Sequence, residues 1–113
     1  TLAPTMLKLT STGVYFTSPS PGDDSSRVSG RLIRNIHANA PMMIGEFKHE
    51  NGRDYVMVVN LSLEKSAKFT INTTNQYDEI KIVPSVKRHG ELPPLKPDHW
   101  LVAGQGVLIK LGH

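Results

Sequence analysis

Residues 43–60 read Met-Ile-Gly-Glu-Phe-Lys-His-Glu-Asn-Gly-Arg-Asp-Tyr-Val-Met-Val-Val-Asn, two alternating runs on either side of Asn51-Gly52. Asn-Gly suits the two positive-φ positions of a type I′ turn, whose twist matches that of the strands it joins. The segment therefore commits the chain to an antiparallel β-hairpin. It brings no chemistry with it.

A two-residue turn would set Glu50 opposite Arg53, His49 opposite Asp54, Phe47 opposite Val56 and Glu46 opposite Met57. Directly opposed residues share a face. Met43, Gly45, Phe47, Val56 and Val58 then form the expected core face, and Ile44, Glu46, Lys48, Tyr55, Met57 and Val59 the other, wet near the turn and drier away from it. The charged pairs at the open end are register control rather than an active site.

Elsewhere, Gly, Pro, Asn and Ser punctuate short β-branched runs at the spacing of a sandwich or barrel. Residues 3–9 fit a short helix behind Pro4, and residues 5–10 fit a strand; both readings stay open. Residues 14–17 are expected to be extended, and 18–26, Ser-Pro-Ser-Pro-Gly-Asp-Asp-Ser-Ser, to be loop. Strands are expected over 28–36, 66–72, 80–83, 99–102 and 107–111, with a short edge strand allowed near 86–89 in a stretch rich in proline. No internal repeat stands out. The expected fold class is all-β, a single antiparallel β-sandwich of about seven or eight strands with a short N-terminal helix or an extended linker.

At 113 residues the chain is one domain's worth of sequence, long enough to fold without a disulfide or a metal. It has no cysteine, which removes disulfide frameworks, thiolate zinc sites and cysteine nucleophiles. No run approaches the length of a membrane-spanning helix, and the Thr-Leu-Ala-Pro start has neither an initiator methionine nor the order of a signal peptide, so it reads as a piece of a longer protein. A net charge of +3 is spread along the chain and aromatics make up only 6% of it, a pattern unlike the concentrated basic surface of a nucleic-acid binder. Neither nucleic acid nor a membrane is an expected partner.

Catalytic arrangements are equally hard to assemble. A glycosidase pair needs two carboxyls facing each other across a cleft. Asp23-Asp24, Glu46, Glu50, Asp54 and Asp78-Glu79 suggest no such pair and read as solvated acids, except Glu46, whose neighbours give it the best prospect of a paired role. The serines lack a Gly-x-Ser-x-Gly elbow, and His37, His49, His89, His99 and His113 lack ligand spacing. No catalytic, cofactor or metal residue is assigned.

Sugars stack on exposed aromatic faces, so Trp100, the sole tryptophan, and Tyr77, after the polar loop 72–76, are the candidates for carbohydrate contact. A core or interdomain anchor is the competing reading of Trp100. The acceptor patterns at Asn60 and Asn72 matter only in a eukaryotic secretory setting.

The words Leu-Ile-Arg-Asn-Ile at 32–36, Ile-Gly-Glu-Phe at 44–47, Asn51-Gly52, Tyr-Val-Met-Val-Val-Asn at 55–60 and Leu-Val-Ala-Gly-Gln-Gly-Val-Leu-Ile-Lys-Leu at 101–111 resemble the C-terminal β-domain of bacterial multidomain glycoside hydrolases. The match spans residues 28–112, about three quarters of the chain, and departs from the family wording at Ala103, where proline is common. The resemblance implies a noncatalytic accessory domain over 28–113, preceded by an N-terminal segment and linker over 1–27. Its partner would be an upstream catalytic barrel of the same polypeptide, which would carry the catalytic acids. It further implies a secreted or periplasmic setting, and an apolar patch with Tyr15 and Phe16 facing the barrel. The alternatives are a carbohydrate-binding module and a structural or protein-interaction β-sandwich.

Overall fold

The computed structural model describes residues 9–18, 25–28, 30–50, 52–77, 79–83, 94–95 and 99–112. Among these, nine strands form two antiparallel sheets. They are β1 (Leu9–Thr17), β2 (Ser25–Arg27), β3 (Ile33–Ala38), β4 (Met42–His49), β5 (Asp54–Asn60), β6 (Ala67–Thr73), β7 (Glu79–Val83), β8 (His99–Leu101) and β9 (Gly106–Gly112). One sheet runs β1-β4-β5-β9-β7 and the other β2-β3-β6-β8. Apolar side chains from both sheets interlock between them, with Ile36, Ala38, Ala67, Phe69 and Leu101 meeting Met42, Ile44, Val56, Val58, Ile109 and Leu111. The expected sandwich is present, with one strand more than the upper expectation. The expected strands at 66–72, 80–83, 99–102 and 107–111 all form within a residue of their bounds.

The hairpin forms, but not in the expected register. His49 N–H donates to Arg53 O at 2.8 Å, Gly52 N–H donates to His49 O at 2.9 Å, and Gly52 has φ of +89°. Three residues, 50–52, thus close the hairpin, with glycine in the left-handed position at the end of the turn, the geometry of a three-residue loop with a bulge. Lys48 then sits opposite Asp54, Glu46 opposite Val56 and Ile44 opposite Val58. A one-residue slip exchanges the faces of one strand completely. On β4 the core face is therefore Met42, Ile44 and Glu46, whereas Met43, Gly45 and Phe47 point outward; on β5 the expected Val56 and Val58 do face the core. Asp54, expected to pair with His49, forms its salt bridge with Arg31 at 3.1 Å.

Residues 28–36 are not one strand. β2 runs antiparallel to β3, with Ser26 opposite Ile36 and Arg27 opposite Asn35, and Val28 N–H donates to Arg34 O at 2.8 Å. The chain folds back at 28–33 because three successive N–H groups there converge on one carboxylate, which the alternating N–H directions of a straight strand do not permit. Ser25 and Ser26, expected as loop, belong to β2. The extended segment expected at 14–17 is part of the nine-residue β1, which pairs with β4 along its length around a bulge between Ser11 and Gly13. The helix-or-strand question at 3–9 falls outside the described residues except at Leu9, which is strand, and the edge strand near 86–89 falls wholly outside them. Lys81 forms an isolated antiparallel β-bridge with Pro94, and Leu95 N–H donates to Ile80 O, which ties residues 94–95 to the edge of β7.

Candidate functional site

Alternation along paired strands fixes which side chains leave the sandwich. On the five-stranded sheet they form three cross-strand rows. Phe16, Met43, Val59 and Gly106 make one; Val14, Gly45, Met57, Leu108 and Val83 the next; Ser11, Phe47, Tyr55, Lys110 and Lys81 the third. Phe16 is 70% exposed and Val14 50%, while Met43, Phe47, Met57 and Val59 are half-buried. Gly45 leaves a trough between Val14 and Met57, into which the Phe47 ring leans, since a Cβ at Gly45 would lie 2.9 Å from that ring. Charge enters toward β7 and β9, where Lys81 lies opposite Lys110 and bridges Glu79 at 3.5 Å, and at the hairpin end, where His49 packs on Tyr55 and Arg53 reaches Gly112.

The outer face of the four-stranded sheet is built from different chemistry. Its rows are Trp100 with Lys68, then Thr70 with His37 and Ser25, then Asn72 with Asn35 and Arg27. Asn72 Nδ2 donates to Asn35 Oδ1 at 2.5 Å, and Trp100 is 59% exposed. A solvated antiparallel sheet normally shows this kind of polar outer face. The face of the five-stranded sheet is the exception, since its rows are mostly apolar and leave Phe16 and Val14 exposed.

Two buried polar side chains hold the scaffold that presents these faces. Glu46 is fully buried on β4, and its carboxylate accepts N–H bonds from Arg31 at 2.9 Å and from Leu32 and Ile33 at 2.8 Å each. These donors immediately precede or begin β3, so Glu46 fastens one sheet to the other. Burying it without those donors would cost several kcal/mol (on the order of the desolvation penalty of an unpaired charge). Asn60, also fully buried, closes the opposite end. Its amide nitrogen donates to Lys65 O at 3.0 Å and to Leu101 O and Val102 O at 3.3 Å each, while its Oδ1 accepts from Ser62 N–H. Gly104, with φ of +73°, donates its N–H to the Asn60 carbonyl. One side chain thereby joins the β5–β6 and β8–β9 connections, on which Leu63 and Val102 stand exposed.

The sequence-selected residues do not converge. Tyr15 lies opposite Ile44 and points inward, half-buried against the core, whereas Phe16 beside it points out. Tyr77 packs on the core near the Arg31–Asp54 ion pair, and burial, then the nearby Asp54, push its phenol above the ordinary value. Trp100 belongs to the other sheet. The hairpin acids take structural or surface positions: Glu46 is the inter-sheet clamp, and Asp54 joins Arg31, whose other guanidinium nitrogen donates to Thr12. Asp23, Asp24 and Asp78 lie outside the described residues, as does His89. Among the described residues no three His, Asp or Glu side chains gather as metal ligands, and no helix is long and apolar enough to cross a membrane.

Glu46 and Asn60 escaped sequence reasoning as scaffold residues, although each carries a signal. Glu46 is in phase with Met42 and Ile44, and Asn60 with Val56 and Val58, so each continues an apolar alternation with a polar side chain. No protein-family model, curated protein or solved structure matches this chain.

Proposed function

We propose that this chain is the noncatalytic accessory domain of a carbohydrate-active enzyme, a glycoside hydrolase. It packs on an upstream catalytic domain through the outer face of its five-stranded sheet. The observation that carries the reading is the contrast between the two outer faces: Phe16, Val14, Met43, Met57 and Val59 form one apolar surface, while the opposite sheet presents amides, hydroxyls and cations. A domain living alone in water has no use for that asymmetry; one seated on a neighbour does. The enzyme class is supported by the glycoside hydrolase wording of residues 28–112, whose most specific words fall on β4, β5 and β9, three adjacent strands of the docking sheet.

Methionine oxidation tests the docking role. Met43 and Met57 lie on the proposed contact face and Met42 is fully buried, so in the chain alone Met43 and Met57 oxidise first. Joined to the residues that precede it in its parent protein, the domain protects both. Equal oxidation in the two forms overturns the docking role. An upstream sequence without a βα repeat carrying acids at strand ends overturns the glycoside hydrolase assignment.

A further inference from the structure

The polar outer face of the four-stranded sheet has one feature that a purely solvated face does not need. Trp100, the only tryptophan in the chain, stands there on the edge strand β8, 59% exposed, beside its cross-strand neighbour Lys68. Val102, two residues on, is 57% exposed. Between them Leu101 is buried, and the carbonyls of Leu101 and Val102 are both gripped by the Asn60 amide. The indole is thus held out from a strand end that is fixed to the core.

We infer that this face binds a polysaccharide, with a pyranose ring stacked on Trp100 and the Lys68, Thr70 and His37 side chains hydrogen-bonding its hydroxyl rim. A pyranose ring is apolar on its C–H faces and polar around its edge. It therefore requires a flat π-face, which attracts the slightly positive C–H groups, flanked by donors and acceptors. The three rows supply that sequence along the strands: indole and ammonium, then hydroxyl and imidazole about 7 Å further along, then the Asn35–Asn72 amide pair about 13 Å from the start. A protein partner would need a contiguous apolar surface, which lies on the opposite sheet. A nucleic acid would need concentrated cations and several stacking rings, and the described strand residues of this face offer three cations, Lys68, Arg34 and Arg27, and one indole. The site uses the opposite face from the docking surface, so it stands whether or not that reading does.

Because Trp100 is the sole tryptophan, its fluorescence reports the site directly. The 113-residue chain is titrated with soluble starch, mixed-linkage β-glucan and xylan as neutral polymers, and with polygalacturonate and alginate as acidic ones, at low and high salt. Binding to an acidic polymer weakens with salt through Lys68 and Arg27, whereas binding to a neutral one does not. The expected result is a change in emission with one polymer class, with affinity measured in parallel by electrophoresis through polymer-containing gels. Trp100→Ala then lowers that affinity about tenfold, Trp100→Phe lowers it less, and Phe16→Ser on the other sheet leaves it unchanged. Far-UV circular dichroism confirms that the variants keep the fold. Unaltered emission with every polymer overturns the proposal, as does affinity that survives Trp100→Ala. So does an emission change produced by single-stranded DNA alone.

Discussion

Gly30 lies against the Glu46 carboxyl so closely that a side chain at position 30 has no room: a Cβ there would stand 2.8 Å from Glu46 Cδ. The glycine is required by the close approach of the backbone to the group it binds, because the N–H groups of Arg31, Leu32 and Ile33 can surround the carboxylate only if residue 30 stays out of the way. Gly30→Ala is expected to destabilise the fold by about 1–3 kcal/mol through overpacking. Glu46→Ala, which strands three N–H groups, is expected to cost about 3–5 kcal/mol. Urea denaturation of both variants checks this order; a neutral Glu46→Ala would mean that the clamp does not hold the sheets.

Asn60→Ala removes the donor shared by Lys65, Leu101 and Val102 and the acceptor of Ser62 N–H. A loss of about 2–3 kcal/mol is expected. Asn60→Asp should be no better, because its second oxygen would meet three carbonyls. Hydrogen exchange should show the change concentrated in the 61–65 and 101–105 connections rather than at the 50–52 turn.

Gly52→Ala tests the hairpin geometry. At φ of +89° an alanine is strained, and nothing lies within 4 Å of its Cβ to compensate, so a cost of about 1 kcal/mol is expected. Gly52→Asn should recover part of it, since asparagine tolerates the left-handed region. Thermal melts of the two variants decide between strain and a lost contact.

Phe16→Ser and Val14→Ser, on the exposed edge of the apolar face, should change stability by no more than about 0.5 kcal/mol. Both should reduce self-association of the isolated chain, measured by sedimentation. A large loss of stability would show that these side chains serve the domain itself.

His99 meets Phe69 edge to face, at 5.7 Å between ring centres, and burial holds its imidazole below the ordinary value of 6.5. The unfolded chain therefore takes up the proton first. The stability His99 permits is complete above pH 6.5 and is lost as pH falls from there through the lower value of the folded state. His99→Gln should flatten the loss between neutral and mildly acidic pH in denaturation curves. An unchanged pH profile would place the acid sensitivity elsewhere.

The period-two patterns were enough to name the sandwich and most of its strands. What they could not carry was the register of the hairpin and the burial of Glu46, which are one problem. Asn51-Gly52 suggests a two-residue turn, but His49 pairs with Arg53 and the loop takes one residue more, with Gly52 at a positive φ. Glu46 stands out in the sequence as the acid with the best prospect of a paired role, but its partners are backbone groups fifteen residues or fewer upstream, which have no side-chain signature. The aromatic candidates were legible as single residues, whereas their division between two unlike faces depends on pairings between strands distant in sequence.

β9 is the last described strand in chain order, yet it lies between β5 and β7 and pairs with both. During synthesis β7 emerges before the only described strand that can pair with it, and the five-stranded sheet stays open until residues 106–112 have left the ribosome. The nascent chain thus carries two unpaired strand edges for a time, a state in which chaperone capture or mispairing with another copy competes with closure.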